Sequence, residues 1–291
     1  MFAILLSLLA GACLIMFLLM LSLFRTVQTG TNALIFRIVP TAAYMLLRLG
    51  YAVGFRAEER IRKGGTPKTD RLDKWAKRIA AQLDRTLPEG RCRPGTALFC
   101  GSSTFTYWHN LKQDLRSEQD LPMQNVVNAA FGGSMMRHNL THFEALVGKR
   151  APAVVVLFCG TNDIATGSSA ADVAAAVRKF DAEMMEKFGP KVHFIYMAIT
   201  ATPFHKSCGS ERLATIEAAN REIERDLHHE DKTHTRWLVD TFAIEPTLAD
   251  DKYYLADRHH LNDAGHALLG KVLGPIVVKI ARAAHRSSSW W

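Results

Sequence analysis

From residue 94 onward the chain alternates between two kinds of segment, and this constrains its fold more than any other feature. Short runs rich in β-branched and aromatic residues occur at 96–100 (TALFC), 124–127 (QNVV), 153–159 (AVVVLFC), 192–198 (VHFIYMA) and 236–239 (RWLV). Between and after them, 138–148, 171–188, 211–229 and 261–284 carry apolar residues at helical spacing. A strand buried on both faces reads as an unbroken apolar run, because helices cover both sides of a parallel sheet. The alternation therefore predicts an α/β fold with a central parallel sheet and right-handed crossovers. In such sheets function gathers in the loops beyond the carboxyl ends of the strands.

The 93 residues before this region are different in kind. Residues 1–24 contain no charged side chain. About 20 apolar residues rising 1.5 Å each are enough to cross a ~30 Å hydrocarbon layer. No basic residue precedes the run and it is long for a cleaved leader, so it predicts an uncleaved, single-pass membrane anchor. The apolar stretch 38–55 is interrupted by Pro40, Arg48 and Gly50 and predicts an interfacial helix or a second, poorer span. Residues 64–67 (GGTP) form a breaker. Leu72, Trp75, Ile79 and Leu83 then mark an amphipathic helix, expected to pack on the domain that follows. The resulting division is 1–24 anchor, 25–94 juxtamembrane segment, 95–285 catalytic domain and 286–291 tail.

The net charge of +8 suggests nucleic acid until it is located. Residues 1–55 carry +3, and 56–93 hold twelve Lys or Arg against six acids, which leaves 94–291 near neutral at −1. A basic segment beside an apolar helix predicts attraction to anionic lipid head groups. No nucleic-acid-binding pattern accompanies it. With basic residues after the first span and none before, the catalytic part is expected in the cytoplasm, and a second span would put it outside. The five cysteines, Cys13, Cys92, Cys100, Cys159 and Cys208, are odd in number and never in CxxC spacing. They predict neither a disulfide framework nor a zinc site, and Cys100 and Cys159 read as small core residues.

Each of the first three strands is followed by a small polar cluster. Gly101-Ser102-Ser103-Thr104 follows the first, Asn128 through Gly132-Gly133-Ser134 the second, and Gly160-Thr161-Asn162-Asp163 the third; Asp257-Arg258-His259-His260 comes near the end. Neither GxGxxG nor GxxxxGK[ST] occurs, which excludes the dinucleotide and P-loop signatures. GSSTF lacks the closing glycine of the α/β-hydrolase elbow, and there is no HExxH. The histidines show no metal-ligand spacing, so no metal is expected.

The clusters do hold the parts of acyl transfer. A serine hydroxyl needs a base within reach, and the base needs an acid to fix its tautomer. Asp257 and His260, three apart, would share a face on a helical turn. His259 would point elsewhere, as a surface or loop histidine. The Gly133 N–H, the Asn162 amide and the nucleophile's own N–H are candidate donors to an oxyanion. Taken singly, Ser103 would be read as a helix N-cap, Gly132-Gly133 as a turn and Asp257 as a cap; Asp163 is expected to be structural.

Together, in this order, the four clusters resemble the SGNH hydrolases, the GDSL-type lipases and esterases, over most of 95–280. The resemblance assigns Ser103, third in the Gly101-Ser102-Ser103 block, as nucleophile, with Asp257 and His260 completing a triad and Ser103, Gly133 and Asn162 forming the oxyanion hole. Ser102 stands where the family usually has Asp, as in a G-S-S-[ST]-x-x-x-W branch. The resemblance also implies a flavodoxin-like three-layer α/β/α sandwich and no cofactor. The expected activity is hydrolysis of carboxylic esters of small molecules, glycans or lipids, with short acyl or acetyl groups favoured because no long apolar lid interrupts the motifs. An O-acyltransferase or deacetylase acting on an envelope glycan or lipid, or a non-catalytic membrane-tethered module, would carry the same motifs.

Overall fold

The computed structural model describes residues 69–86, 92–93, 95–116, 125–230 and 235–288. The chain divides into two units, Met1–Thr66 and Pro67–Trp291, and the first lies wholly outside the described residues. The expectation of a single-pass, membrane-anchored protein is corrected here. Among the described residues no helix is long and apolar enough to cross a membrane. The segments 1–24 and 38–55, on which that expectation rested, lie outside them.

Five strands form one parallel sheet: β1 Ala97–Gly101, β2 Val126–Asn128, β3 Val154–Phe158, β4 His193–Met197 and β5 Arg236–Val239. Their spatial order is β2-β1-β3-β4-β5, the flavodoxin-type order, whose switch point lies between β1 and β3. Every residue of β1 and β3 is buried, which is why both read as unbroken apolar runs.

Alternate strand residues feed two separate cores. Leu98, Cys100, Val155 and Leu157 face one side. They meet α1 (Thr69–Thr86), α6 (Ala170–Phe188) and α8 (Ser210–Glu230) there through residues such as Ala76, Val177 and Ile223. Phe99, Val154, Val156 and Met197 face the other side, against Leu269, Leu273 and Val277 of α9 (Asp263–Ser288). Short helices α2 (Ser103–Thr106) and α3 (Leu111–Arg116) join this second layer through Phe105, Leu111 and Leu115.

The amphipathic reading of α1 is borne out. Ala76 and Ala80 are buried in the core, with Trp75, Ile79 and Leu83 packed against it. The Met135 N–H donates to His138 Nδ1 (3.1 Å), which leaves Nε2–H to donate to Asp73 of α1 (3.0 Å). Buried Arg150 reaches Asp84 at 3.1 Å. The helix expected over 138–148 is broken. Helix α4 spans Met136–Thr141, and Glu144–Gly148 is a single π turn. There the Arg150 guanidinium takes up the Ala145 carbonyl.

Candidate active site

The first loop is set by Gly101. It has φ 119°, and a Cβ there would collide with the Phe158 carbonyl of β3; only glycine fits. The chain then turns straight into α2, with Ser102 in the cap position and Ser103 as the first helical residue. Ser103 is therefore not the cap, and its backbone N–H, at the helix start, has no intrahelical partner. The Ser103 side chain is held at the carboxyl edge of β1, beside the switch point.

His260 meets it from the far end of the sequence. Ser103 Oγ lies 3.0 Å from His260 Nε2, and His260 Nδ1 lies 2.6 Å from Asp257 Oδ2. The local geometry of the pair differs from the helical turn expected. Asp257 Oδ1 accepts from the backbone N–H groups of His259 (2.9 Å) and His260 (3.0 Å), and Arg258 takes a positive φ of 58°. An Asp side chain that bonds its own downstream backbone competes with helix and stabilises such a turn. Burial pushes the Asp257 carboxyl up. Hydrogen bonds from the His260 ring and from the His260 and His259 N–H groups outweigh it and hold the group well below the usual carboxylate range. Asp257 is then ionised and can only accept. The Nδ1 proton of His260 points to it, and Nε2 is free to accept from Ser103.

The loops after β2 and β3 close the other side. Gly133 has φ 73°, and a Cβ on Gly132 would lie 3.7 Å from Ser103 Cβ, so this turn stands against the serine. Asn162, in α5 (Thr161–Ala165), donates from Nδ2 to the Ser134 carbonyl at 2.9 Å. Ser134 itself is fully buried, and its Oγ donates to the Gly101 carbonyl at 2.7 Å. One residue thus ties the first three loops together. Asp163 serves structure, as expected: its carboxylate accepts the Met136 N–H at 3.1 Å, and burial pushes it up to about 6.

Two further neighbours, Tyr107 and His266, have no counterpart in the sequence reading. Tyr107 packs its ring edge-on to His260, centroids 4.9 Å apart, and is exposed. Its spacing of four from Ser103 was the available signal. His266 of α9 stacks on Trp108 and donates from Nε2 to the Thr104 carbonyl at 2.9 Å, fixing α2 from behind. His259 lies in the loop, as expected, and is half-buried there, its ring packed on Phe204 and His205 of α7 (Pro203–Ser207). Among the described residues no group of three or more His, Cys, Asp or Glu is arranged to hold a metal.

The family model described as GDSL-like lipase/acylhydrolase matches residues 93–268, more than half of the chain. Solved structures share the fold at low identity. A GDSL-like lipase from Bacteroides thetaiotaomicron is 16% identical with a TM-score of 0.53, over 70% of this chain and 97% of that one. TesA is 22% identical with a TM-score of 0.51, over 64% and 99%. Axe2, an acetylxylan esterase from Geobacillus stearothermophilus compared as its serine-to-alanine catalytic mutant, is 16% identical with a TM-score of 0.50, over 65% and 95%. Among curated proteins there is no sequence match.

Proposed function

The chain belongs to the GDSL-like lipase/acylhydrolase family and is an ester-cleaving hydrolase, and from that premise we propose that it hydrolyses short-acyl carboxylic esters through an acyl-enzyme on Ser103. The observation that supports this most is the unbroken hydrogen-bond chain Ser103–His260–Asp257, at 3.0 and 2.6 Å, beside the sheet's switch point. His260 takes the serine proton as Oγ attacks the acyl carbon, then passes it to the leaving alcohol. Asp257 holds the imidazole in the tautomer that can accept and stabilises its cation. The N–H of Ser103, the backbone of Gly133 and the second amide hydrogen of Asn162 receive the oxyanion. Water, activated by the same histidine, releases the acid.

The preference for short acyl groups rests on the absence of a long apolar insertion between the motifs. In a p-nitrophenyl ester series on the full chain, kcat/KM is expected to be highest for acetate or butyrate and to fall steadily beyond; a maximum at ten carbons or more would overturn the preference. Changing Asn162 to alanine is expected to lower kcat by about 10²–10³-fold with KM nearly unchanged, since the bond forms chiefly in the transition state. An effect carried mainly by KM would remove Asn162 from the oxyanion site.

A further inference from the structure

The turn that carries Gly133 has no side chain of its own at its centre. Gly132 and Gly133 are adjacent, and glycine leaves the backbone more conformational freedom than any other residue. The Ser134 N–H closes the turn by donating to the Phe131 carbonyl at 3.3 Å. The Phe131 N–H ties it to β1 by donating to the Gly101 carbonyl at 3.0 Å. The two glycines abut different neighbours. A Cβ on Gly132 would meet Ser103, whereas a Cβ on Gly133 would lie 3.7 Å from Cη2 of Trp75, in α1. The Trp75 ring also packs on buried Phe131, with centroids 5.7 Å apart. One indole thus meets the turn at its first residue and at its third.

This contact differs from ordinary core packing. Ala76 and Ala80 are the fully buried residues of α1, while Trp75 is half-buried at the edge of the core. An aliphatic side chain such as Ile79, one turn on, covers the same core; the indole is long enough to reach Phe131 and Gly133 together. The helix also holds the segment just past the turn. Asp73 accepts from His138 Nε2, and His138 Nδ1 accepts the Met135 N–H. The Asp73–Arg137 pair at 3.1 Å is exposed and adds little, as surface ion pairs do. Trp75 is therefore the contact that fixes the turn itself. It comes from outside the segment matched by the family model, which begins at residue 93, after α1 has ended at Thr86. An oxyanion donor acts only when held at its bonding position, and a displacement of about 1 Å can cost ~10²-fold in rate.

We propose that Trp75 is a positioning residue for ester hydrolysis: it braces the Phe131–Ser134 turn from α1 and keeps the Gly133 N–H aimed at the oxyanion. This rests on the reading of Gly133 and Asn162 as oxyanion donors. The oxyanion forms after the ester has bound, so loss of the brace falls on kcat and spares KM.

The test measures p-nitrophenyl acetate hydrolysis, well below melting, by the full-length protein and its Trp75→Phe and Trp75→Ala variants. Far-ultraviolet circular dichroism establishes the fold of each. Phenylalanine keeps a ring for Phe131 but lacks the outer indole edge that meets Gly133. It is expected to lower kcat about 3–10-fold with KM nearly unchanged. Alanine is expected to lower kcat about 10–100-fold, short of the loss of a donor outright. A folded Trp75→Phe variant with kcat within about twofold of wild type, or with a loss carried mainly by KM, would overturn the brace, whether or not Trp75→Ala folds. A merely structural role gives that first result, with melting lowered and kcat unmoved. A folded Asn162→Ala variant at wild-type kcat would instead overturn the oxyanion reading, and the brace with it.

Discussion

Changing Ser103 to alanine is expected to lower kcat for p-nitrophenyl acetate by about 10⁶-fold, leaving only the residual catalysis that substrate binding and oxyanion donors provide. The fold should survive. Ser103 is the first residue of α2 rather than its cap, and its hydroxyl's bond is to His260, whose side chain is 23% exposed and can turn to water. The loss in stability should stay within about 1 kcal/mol, the scale of one net hydrogen bond. Release of p-nitrophenol, followed beside the far-ultraviolet circular dichroism of both proteins, separates the two effects. Activity within tenfold of wild type in a folded variant would remove Ser103 from the mechanism.

Changing Asp257 to asparagine should cost about 10⁴-fold in kcat, for a reason specific to this turn. Oδ1 of Asp257 accepts two backbone N–H groups, from His259 and His260, while Oδ2 faces His260 Nδ1. In asparagine the single oxygen must keep the backbone bonds, because an amide nitrogen cannot accept them. The amide N–H then faces Nδ1 and forces the imidazole proton onto Nε2, where it blocks acceptance from Ser103. Changing Asp257 to alanine leaves the ring free to choose its tautomer and should be less damaging than asparagine. Steady-state kinetics of the two variants decide this: alanine slower than asparagine would contradict the tautomer argument.

What the sequence revealed and what it hid follow from physical causes. β1 and β3 were legible because burial on both faces leaves no polar residue in either run. The amphipathic α1 was legible because its buried residues recur at helical spacing. Ser134 was hidden because it joins the loops partly through its main-chain carbonyl, for which any residue type would serve. The turn at Asp257 was misread as helical because spacing alone does not reveal that its carboxylate bonds the two following N–H groups. The half-burial of the loop residue His259 was hidden because it depends on α7, more than fifty residues away in the chain. The anchor inferred from residues 1–24 rested on hydropathy alone, and among the described residues no membrane-crossing helix bears it out.

The central claim is that one serine, Ser103, carries the acyl group. Mapping by mass spectrometry of the adduct that a fluorophosphonate forms on the full-length protein tests it most directly. The account predicts a single adduct on Ser103, with esterase activity falling in proportion to labelling and no adduct after Ser103→Ala. An adduct on another residue that tracks the loss of activity, or complete labelling of Ser103 with hydrolysis unchanged, would contradict it.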